Sequence, residues 1–281
     1  MPDSATASFD GIEFLRGGGL VAGRIARHDW STHPLCTKEK WPSELKTVLS
    51  IMLGSRFAMC VGWGPDLLLF YNDPYMQVLG AKEPGALGEP IREVWSELWE
   101  DIRPLAETAM AGTATWVEDM YLRMRRHGFA EDTWWTFTYT PVRDPDGRVV
   151  AMLNVTHETT RRVLTEQRLA DENNRLARMF ELSPAFMALL RGPGHRFEFA
   201  NSSYLRVVGD RDVIGRTVAE ALPDATAQGW VDVLDRVYAS GVPFVAQGAV
   251  FREQAEPDGP VTERQLDFVY QPMRAPDGSI D

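Results

Sequence analysis

Leu69-Phe-Tyr-Asn-Asp-Pro-Tyr-Met-Gln-Val-Leu-Gly80 reads as the end of a strand running into a short helix that a glycine closes. Glu198-Phe-Ala-Asn-Ser-Ser-Tyr-Leu-Arg-Val-Val-Gly209 is built to the same plan, and Tyr75/Tyr204 and Gly80/Gly209 are both 129 residues apart. The likeness extends outward. Gly112–Asp119 matches Gly241–Gly248 at the same offset, and Trp135–Gly147 matches Leu266–Gly278 at an offset of 131. Four landmarks at a nearly constant, long interval indicate a duplicated domain rather than a solenoid. The 281 residues are enough for two domains of ordinary size.

Both copies show the same element order. In the first, Phe57–Trp63 and Leu67–Tyr71 read as strands around the turn Gly64-Pro-Asp66. Asn72 or Asp73 can cap the short helix that follows, with Pro74 suited to its first turn. Residues 97–111 form a longer helix ending before Gly112, and strands are expected over 115–124, 132–142 and 148–156. Asp144-Pro-Asp-Gly147 has the chemistry of a hairpin turn, and Gly147 and Gly278 stand where such a turn asks for positive φ. The fold class is α+β with an antiparallel sheet in each copy.

Composition narrows the function. Hydrophobic residues make up 44% and charged residues 25%, as in a folded soluble protein. A net charge of −11 argues against nucleic-acid binding, because the short basic run Arg123-Met-Arg-Arg-His127 has Glu118, Asp119, Glu131 and Asp132 beside it. Two cysteines, Cys36 and Cys60, make no disulfide framework, so a reducing, cytoplasmic setting is expected. The most apolar window, Val48–Trp63, has 16 residues and contains Arg56, too short and too polar for a membrane span. The first 20 residues lack the pattern of a signal peptide.

The order of elements, together with Tyr71-Asn-Asp-Pro-Tyr75 and a last strand running into Glu158-Thr-Thr160, resembles a PAS domain. Trp41-Pro42, Trp63-Gly-Pro-Asp66, Leu87-Gly-Glu-Pro-Ile-Arg-Glu-Val-Trp95 and Thr136–Asp144 resemble, more narrowly, the first PAS domain of many bacterial sensor histidine kinases. Pro184–Pro193, Phe199–Tyr204, Leu234–Gly241 and Leu266–Arg274 are similar to the domain that often follows it ahead of HWE-type kinase cores. The resemblance implies two tandem five-stranded antiparallel sheets, each in spatial order 2-1-5-4-3 with helices on one face. The second would be cut short before its last, central strand. The expected division is an N-terminal, partly flexible extension over 1–29, a first domain over 30–157, a helical linker over 158–182 and a second domain over 183–281.

Glu158–Leu182 is rich in helix formers and free of Gly and Pro. Taking Leu169 as d puts Glu166, Leu169, Asn173, Leu176 and Phe180 on an a/d seam, and an Asn at a fixes register in two-stranded coils. A dimeric signalling linker carried by Glu158, Thr159, Leu169, Asn173, Leu176 and Phe180 is one reading, and a helix packed on the adjacent sheet is the other. By pattern, Met59, Trp63, Tyr75, Trp95 and Phe137 are the candidate pocket positions, although such aromatics are more often plain core. His157-Glu158 resembles a phosphoacceptor box, yet the chain has no room for the ATP-binding domain such a box serves, so His157 is read as structural. His28, His33 and Cys36 match no zinc spacing, and no metal is expected. Neither cysteine sits in a flavin-adduct motif, and no His falls on residues 97–111 or 226–240, which disfavours covalent flavin and haem. A non-covalent small ligand, flavin included, stays open.

No nucleophile, base and orienting group recur together, so no catalysis is expected in this segment. The leading expectation is a sensory segment of a two-component protein, a homodimer that detects a small-molecule ligand or stimulus and relays it to a kinase domain of the same polypeptide. The alternative is a dimerisation scaffold with filled cores. Polar groups facing into the helical side of the sheet favour the first, and complete apolar filling favours the second.

Overall fold

The computed structural model describes residues 12–209, 211–254, 261–275 and 277–281. The chain divides into two compact units, Met1–Gln167 and Arg168–Asp281. In the first, α1 (Gly19–Arg27) and α2 (Ser43–Leu53) precede β1 (Ala58–Trp63) and β2 (Leu68–Tyr71). Three helices follow, α3 (Met76–Leu79), α4 (Ile91–Val94) and α5 (Trp99–Met110), and then β3 (Thr115–Met124), β4 (Glu131–Arg143) and β5 (Val149–Glu158). The five strands form one antiparallel sheet in the order β2-β1-β5-β4-β3. The turn between β4 and β5 closes through Gly147 N–H to Asp144 O at 2.9 Å, with Gly147 at φ 83°. The next helix, α6 (Thr160–Glu181), leaves β5 directly and runs across the division between the units.

Register decides what each face of the sheet carries, because successive side chains alternate. Cys60 pairs with Asn154, and Asn154 with Tyr139; Thr156 pairs with both Ala58 and Phe137. These residues share the face that α3, α4 and α5 cover. Met59, Val61 and Trp63, one residue out of phase, share the other face with Phe70. There Trp30 and Trp41 close around Phe70, with ring centroids 5.5 Å from it in each case. Helices that precede the module therefore bury the second face near β1 and β2, and both parities of β1 are buried.

The segment read as a partly flexible extension is packed over its described part. Leu15, Val21, Ala22 and Ile25 belong to the core of the first unit. Asp73 does not cap the turn that follows it. Its carboxylate accepts the backbone N–H groups of Leu20 and Val21, both at 2.8 Å, at the positive end of α1. The Arg24–Glu83 ion pair fastens the same helix, and the Tyr71 hydroxyl donates to Glu83 at 3.3 Å. Residues 1–11 lie outside the described residues.

The second unit repeats the plan with β6 (Ala188–Arg191), β7 (Arg196–Ala200), α7 (Ser202–Val207), α8 (Val218–Ala221), α9 (Pro223–Ala227), α10 (Trp230–Ser240), β8 (Phe244–Gln254) and β9 (Val261–Tyr270). Its strands form two separate antiparallel pairs, β6-β7 and β8-β9. In the first unit β5 is the strand that joins the corresponding pairs. A tight turn after β9 repeats the one before β5, with Gly278 at φ 86° and its N–H donated to Ala275 O at 2.9 Å.

Duplication is recorded most sharply in one buried amide per unit. Asn72 caps its short helix through Tyr75 N–H (3.2 Å) and also accepts Met59 N–H (3.0 Å). Its amide donates to the carbonyls of Met52 (3.0 Å), Ser55 (3.3 Å) and Phe57 (2.8 Å). Asn201 accepts Tyr204 N–H (2.9 Å) and Met187 N–H (3.0 Å), and donates to Phe180 (3.0 Å), Ser183 (3.4 Å) and Ala185 (2.9 Å). Each Asn thus ties the end of the preceding helix to the first strand of its unit. In the first unit that helix is α2, and in the second it is the tail of α6.

Candidate functional site: a neutral cavity and its tie to the linker helix

Between the sheet of the first unit and its helices lies a cavity of about 50 Å³. The helical side contributes Tyr75, Val78, Ile91, Trp95, Leu98 and Ile102. From the sheet come Cys60, Leu122, Met124, Trp135, Phe137, Tyr139, Asn154 and Thr156. No lining side chain is an acid or a base of the Asp, Glu, Lys, Arg or His type.

The polar atoms are few. The Tyr75 hydroxyl sits beside the Cys60 sulfur and the Trp95 indole. The Cys60 thiol faces Asn154 Oδ1 at 3.7 Å, and Asn154 Nδ2 donates to Thr138 O at 3.1 Å. Tyr139 differs from these. It is only 6% exposed, and neither its hydroxyl nor that of Thr156, 8% exposed, makes a hydrogen bond among the described residues. Burying an unpaired hydroxyl costs about 1–3 kcal/mol.

Desolvation keeps these groups in their neutral forms. Burial pushes the Cys60 thiol from 9.0 up to about 12, only partly offset by the neighbouring Tyr75 hydroxyl. Burial likewise raises the phenols of Tyr75 and Tyr139, with the nearby Cys60 adding to both. Cys60 is therefore a protonated, unreactive thiol at neutral pH.

Of the five positions singled out by pattern, Tyr75, Trp95 and Phe137 meet at the cavity. Met59 and Trp63 sit on the opposite face of β1 and do not join them. The residues that pattern passed over, Cys60, Tyr139, Asn154 and Thr156, carry the polar chemistry of the wall. Their signal in the sequence was polarity at in-register positions of otherwise apolar strands.

One wall of the cavity leads directly to α6. The Arg126 guanidinium lies 5.5 Å from the centre of the Trp135 ring. It grips Glu158 with two hydrogen bonds, of 2.8 and 3.2 Å, and Glu131 with one of 3.3 Å. Gly80, at φ 56°, admits this loop, since a Cβ there would stand 2.6 Å from Arg126 O. Glu158 also accepts the Thr160 hydroxyl at 2.8 Å. Thr159 donates its N–H to Trp134 O (2.8 Å), and its carbonyl accepts Val163 N–H (3.0 Å) in the first turn of α6. Arg162 reaches back to both oxygens of Asp119, at 2.7 and 2.6 Å, and on to Glu166 at 3.1 Å. The neighbouring Thr159 hydroxyl and the Arg162 guanidinium hold the Asp119 carboxyl below its ordinary range. The start of α6 is thus fixed by charge-assisted bonds to the β2-distal half of the sheet.

Beyond these bonds α6 has no buried residue over Thr160–Glu181. Leu169 is 63% exposed, and Asn173 and Leu176 are also exposed. The Phe180 ring meets Phe199 of β7 edge-on at 5.9 Å, so this seam position also packs on the second unit's own strand.

Comparison with known families agrees with this architecture. A model described as "PAS fold" matches residues 67–164, and one described as "PAS domain" matches residues 174–238. Each match falls within one structural unit. Among solved structures, an RNA-binding light-oxygen-voltage receptor is similar at 22% identity and a TM-score of 0.36, over 50% of this chain and 40% of its own. A sensory box sensor histidine kinase from Vibrio cholerae is similar at 14% identity and 0.29, over 41% and 90%. The LOV domain of a blue-light activated histidine kinase from Erythrobacter litoralis is similar at 15% and 0.31, over 38% and 98%. The chain spans less than half the length of the first of these. Two PAS modules in tandem, a sensory type of module, are what the matches and the sheet order support. No helix among the described residues is long and apolar enough to cross a membrane.

Proposed function

We propose that this chain is the sensory segment of a bacterial two-component signalling protein, a cytoplasmic homodimer without catalysis of its own. The first unit receives a small ligand in its cavity, and α6 carries the change through the second unit toward a kinase domain of the same polypeptide. The observation that carries this reading is physical continuity. Trp135 is at once a wall of the cavity and the platform for Arg126, which also grips Glu158 at the root of α6. A ligand that moves Trp135 changes the geometry of that ion pair, and a signal arises if the ligand prefers one of two helix arrangements. The exposed stripe Leu169, Asn173 and Leu176 supplies the seam on which two copies of α6 would pair.

One observation favours the scaffold reading. A cavity of about 50 Å³ is well below the roughly 300–1,000 Å³ of pockets that hold drug-sized ligands. Native mass spectrometry of the freshly purified chain separates the two. A reproducible small mass released from each protomer supports the sensor. Bare protomers assembled as dimers, with exchange of the 158–166 amides unaltered by any cavity substitution, refute it in favour of the scaffold.

A further inference from the structure

We infer that the cavity of the first unit takes an uncharged ligand bearing a hydrogen-bond acceptor, and that Tyr139 is the donor that receives it. This deepens the sensor reading and rests on it. The 14 lining side chains offer an ion no counter-charge, so an anion or cation would surrender its hydration without a partner. Burial keeps Cys60, Tyr75 and Tyr139 neutral, so the wall cannot supply a charge by ionising. Of the hydroxyls on this wall, that of Tyr75 sits beside the Cys60 thiol and the Trp95 indole. The hydroxyls of Tyr139 and Thr156 make no hydrogen bond among the described residues and line the cavity on the face that carries Asn154 and Cys60; of the two the phenol, the more acidic O–H, is the stronger donor. A ligand whose carbonyl or similar oxygen faces Tyr139 gives that phenol an acceptor and turns its apolar part toward Leu98, Ile102 and Phe137.

Size sets a second condition. A water molecule's share of liquid is about 30 Å³, so with the walls at rest the cavity holds about one or two water-sized groups. Larger members of the class must displace part of the helical wall, and such a displacement is what a sensor requires.

Matched amide and carboxylate pairs test the assignment on the full chain. Formamide and acetamide are compared with formate and acetate by ligand-observed NMR, in the wild type and in Tyr139→Phe. The amides are expected to bind, at roughly millimolar affinity given their size, and Tyr139→Phe is expected to weaken them roughly fivefold. The carboxylates are expected not to bind at the same concentrations. Carboxylates binding as well as amides, or a Tyr139→Phe variant indifferent to the substitution, overturn the inference. Thermal melting of Tyr139→Phe confirms that the variant is folded. Should no amide bind while native mass spectrometry finds another small molecule on each protomer, the inference falls and the sensor reading stands. Should both fail, water is the only occupant and both readings fall together. Amide binding that leaves exchange of the 158–166 amides unchanged supports the ligand class and refutes the relay.

Discussion

Replacing Asn72 by alanine should destabilise the first unit selectively, and the expected cost can be worked out from its bonds. Five hydrogen bonds converge on this fully buried side chain. Two of the backbone groups keep other partners in the variant: Tyr75 N–H still meets Asn72 O at 3.0 Å, and Met52 O still accepts Ser55 N–H at 3.1 Å. The loss therefore falls mainly on Met59 N–H and Phe57 O. At about 1–3 kcal/mol for each group left without a partner, the cost is roughly 3 kcal/mol. With a urea slope of about 2 kcal/mol/M, the midpoint of the first unit should fall by about 1.5 M. Tryptophan fluorescence is the natural probe, because eight of the nine tryptophans precede residue 136 and only Trp230 belongs to the second unit. Asn201→Ala is the matched control and should leave the tryptophan-detected transition in place. A shift below about 0.5 M for Asn72→Ala would show that the amide is an ordinary helix cap and not a hub.

Three further outcomes can be checked. At pH 8 a thiol reagent should label one cysteine per folded chain, Cys36, which is exposed, while Cys60 reacts only after denaturation. Stability should fall on the alkaline side: the unfolded Cys60 thiol ionises near 9.0 and the folded one near about 12, so the stability that burial of the neutral thiol contributes is full below pH 9 and lost as pH rises to 12. That loss proceeds at about 1.4 kcal/mol per pH unit for each such group, and Tyr139→Phe should flatten the profile above pH 10, read as melting temperature against pH. Substituting both Leu169 and Leu176 with Asp should weaken self-association in analytical ultracentrifugation while both units stay folded; an unchanged dimer affinity would refute pairing through α6.

The sequence disclosed the repeat through its constant offset, and the strand limits and the capping role of Asn72 because these are encoded within a few neighbouring residues. It concealed whatever depends on distant partners. The carbonyls of Met52, Ser55 and Phe57 lie 15–20 residues before Asn72, so no local pattern joins them to it. Asp73 looked like a second cap, and its true partner is a helix start more than 50 residues earlier. Residues 1–29 looked like a partly flexible extension because nothing local marks Leu15, Val21 and Ile25 as core. Pocket positions were half legible for a related reason. Helices cover both faces of β1, so Met59 and Trp63 are as buried as Cys60, and hydrophobicity alone does not reveal which parity meets the cavity.

The hub of Asn201 has a consequence for how such modules can be exchanged. A breakpoint at residue 183, where pattern puts the domain edge, would remove Phe180 O from the amide that holds it and would detach Glu181, which bonds the Ser202 backbone N–H. The segment that travels intact starts inside the preceding helix, at least one turn upstream of Phe180. The first unit follows the same grammar, with the last turn of α2 inseparable from the strand it precedes. A graft that respects this rule carries its own incoming helix end as part of the cassette. The splice then falls in the solvated middle of a helix, where a new junction must preserve only helical phase.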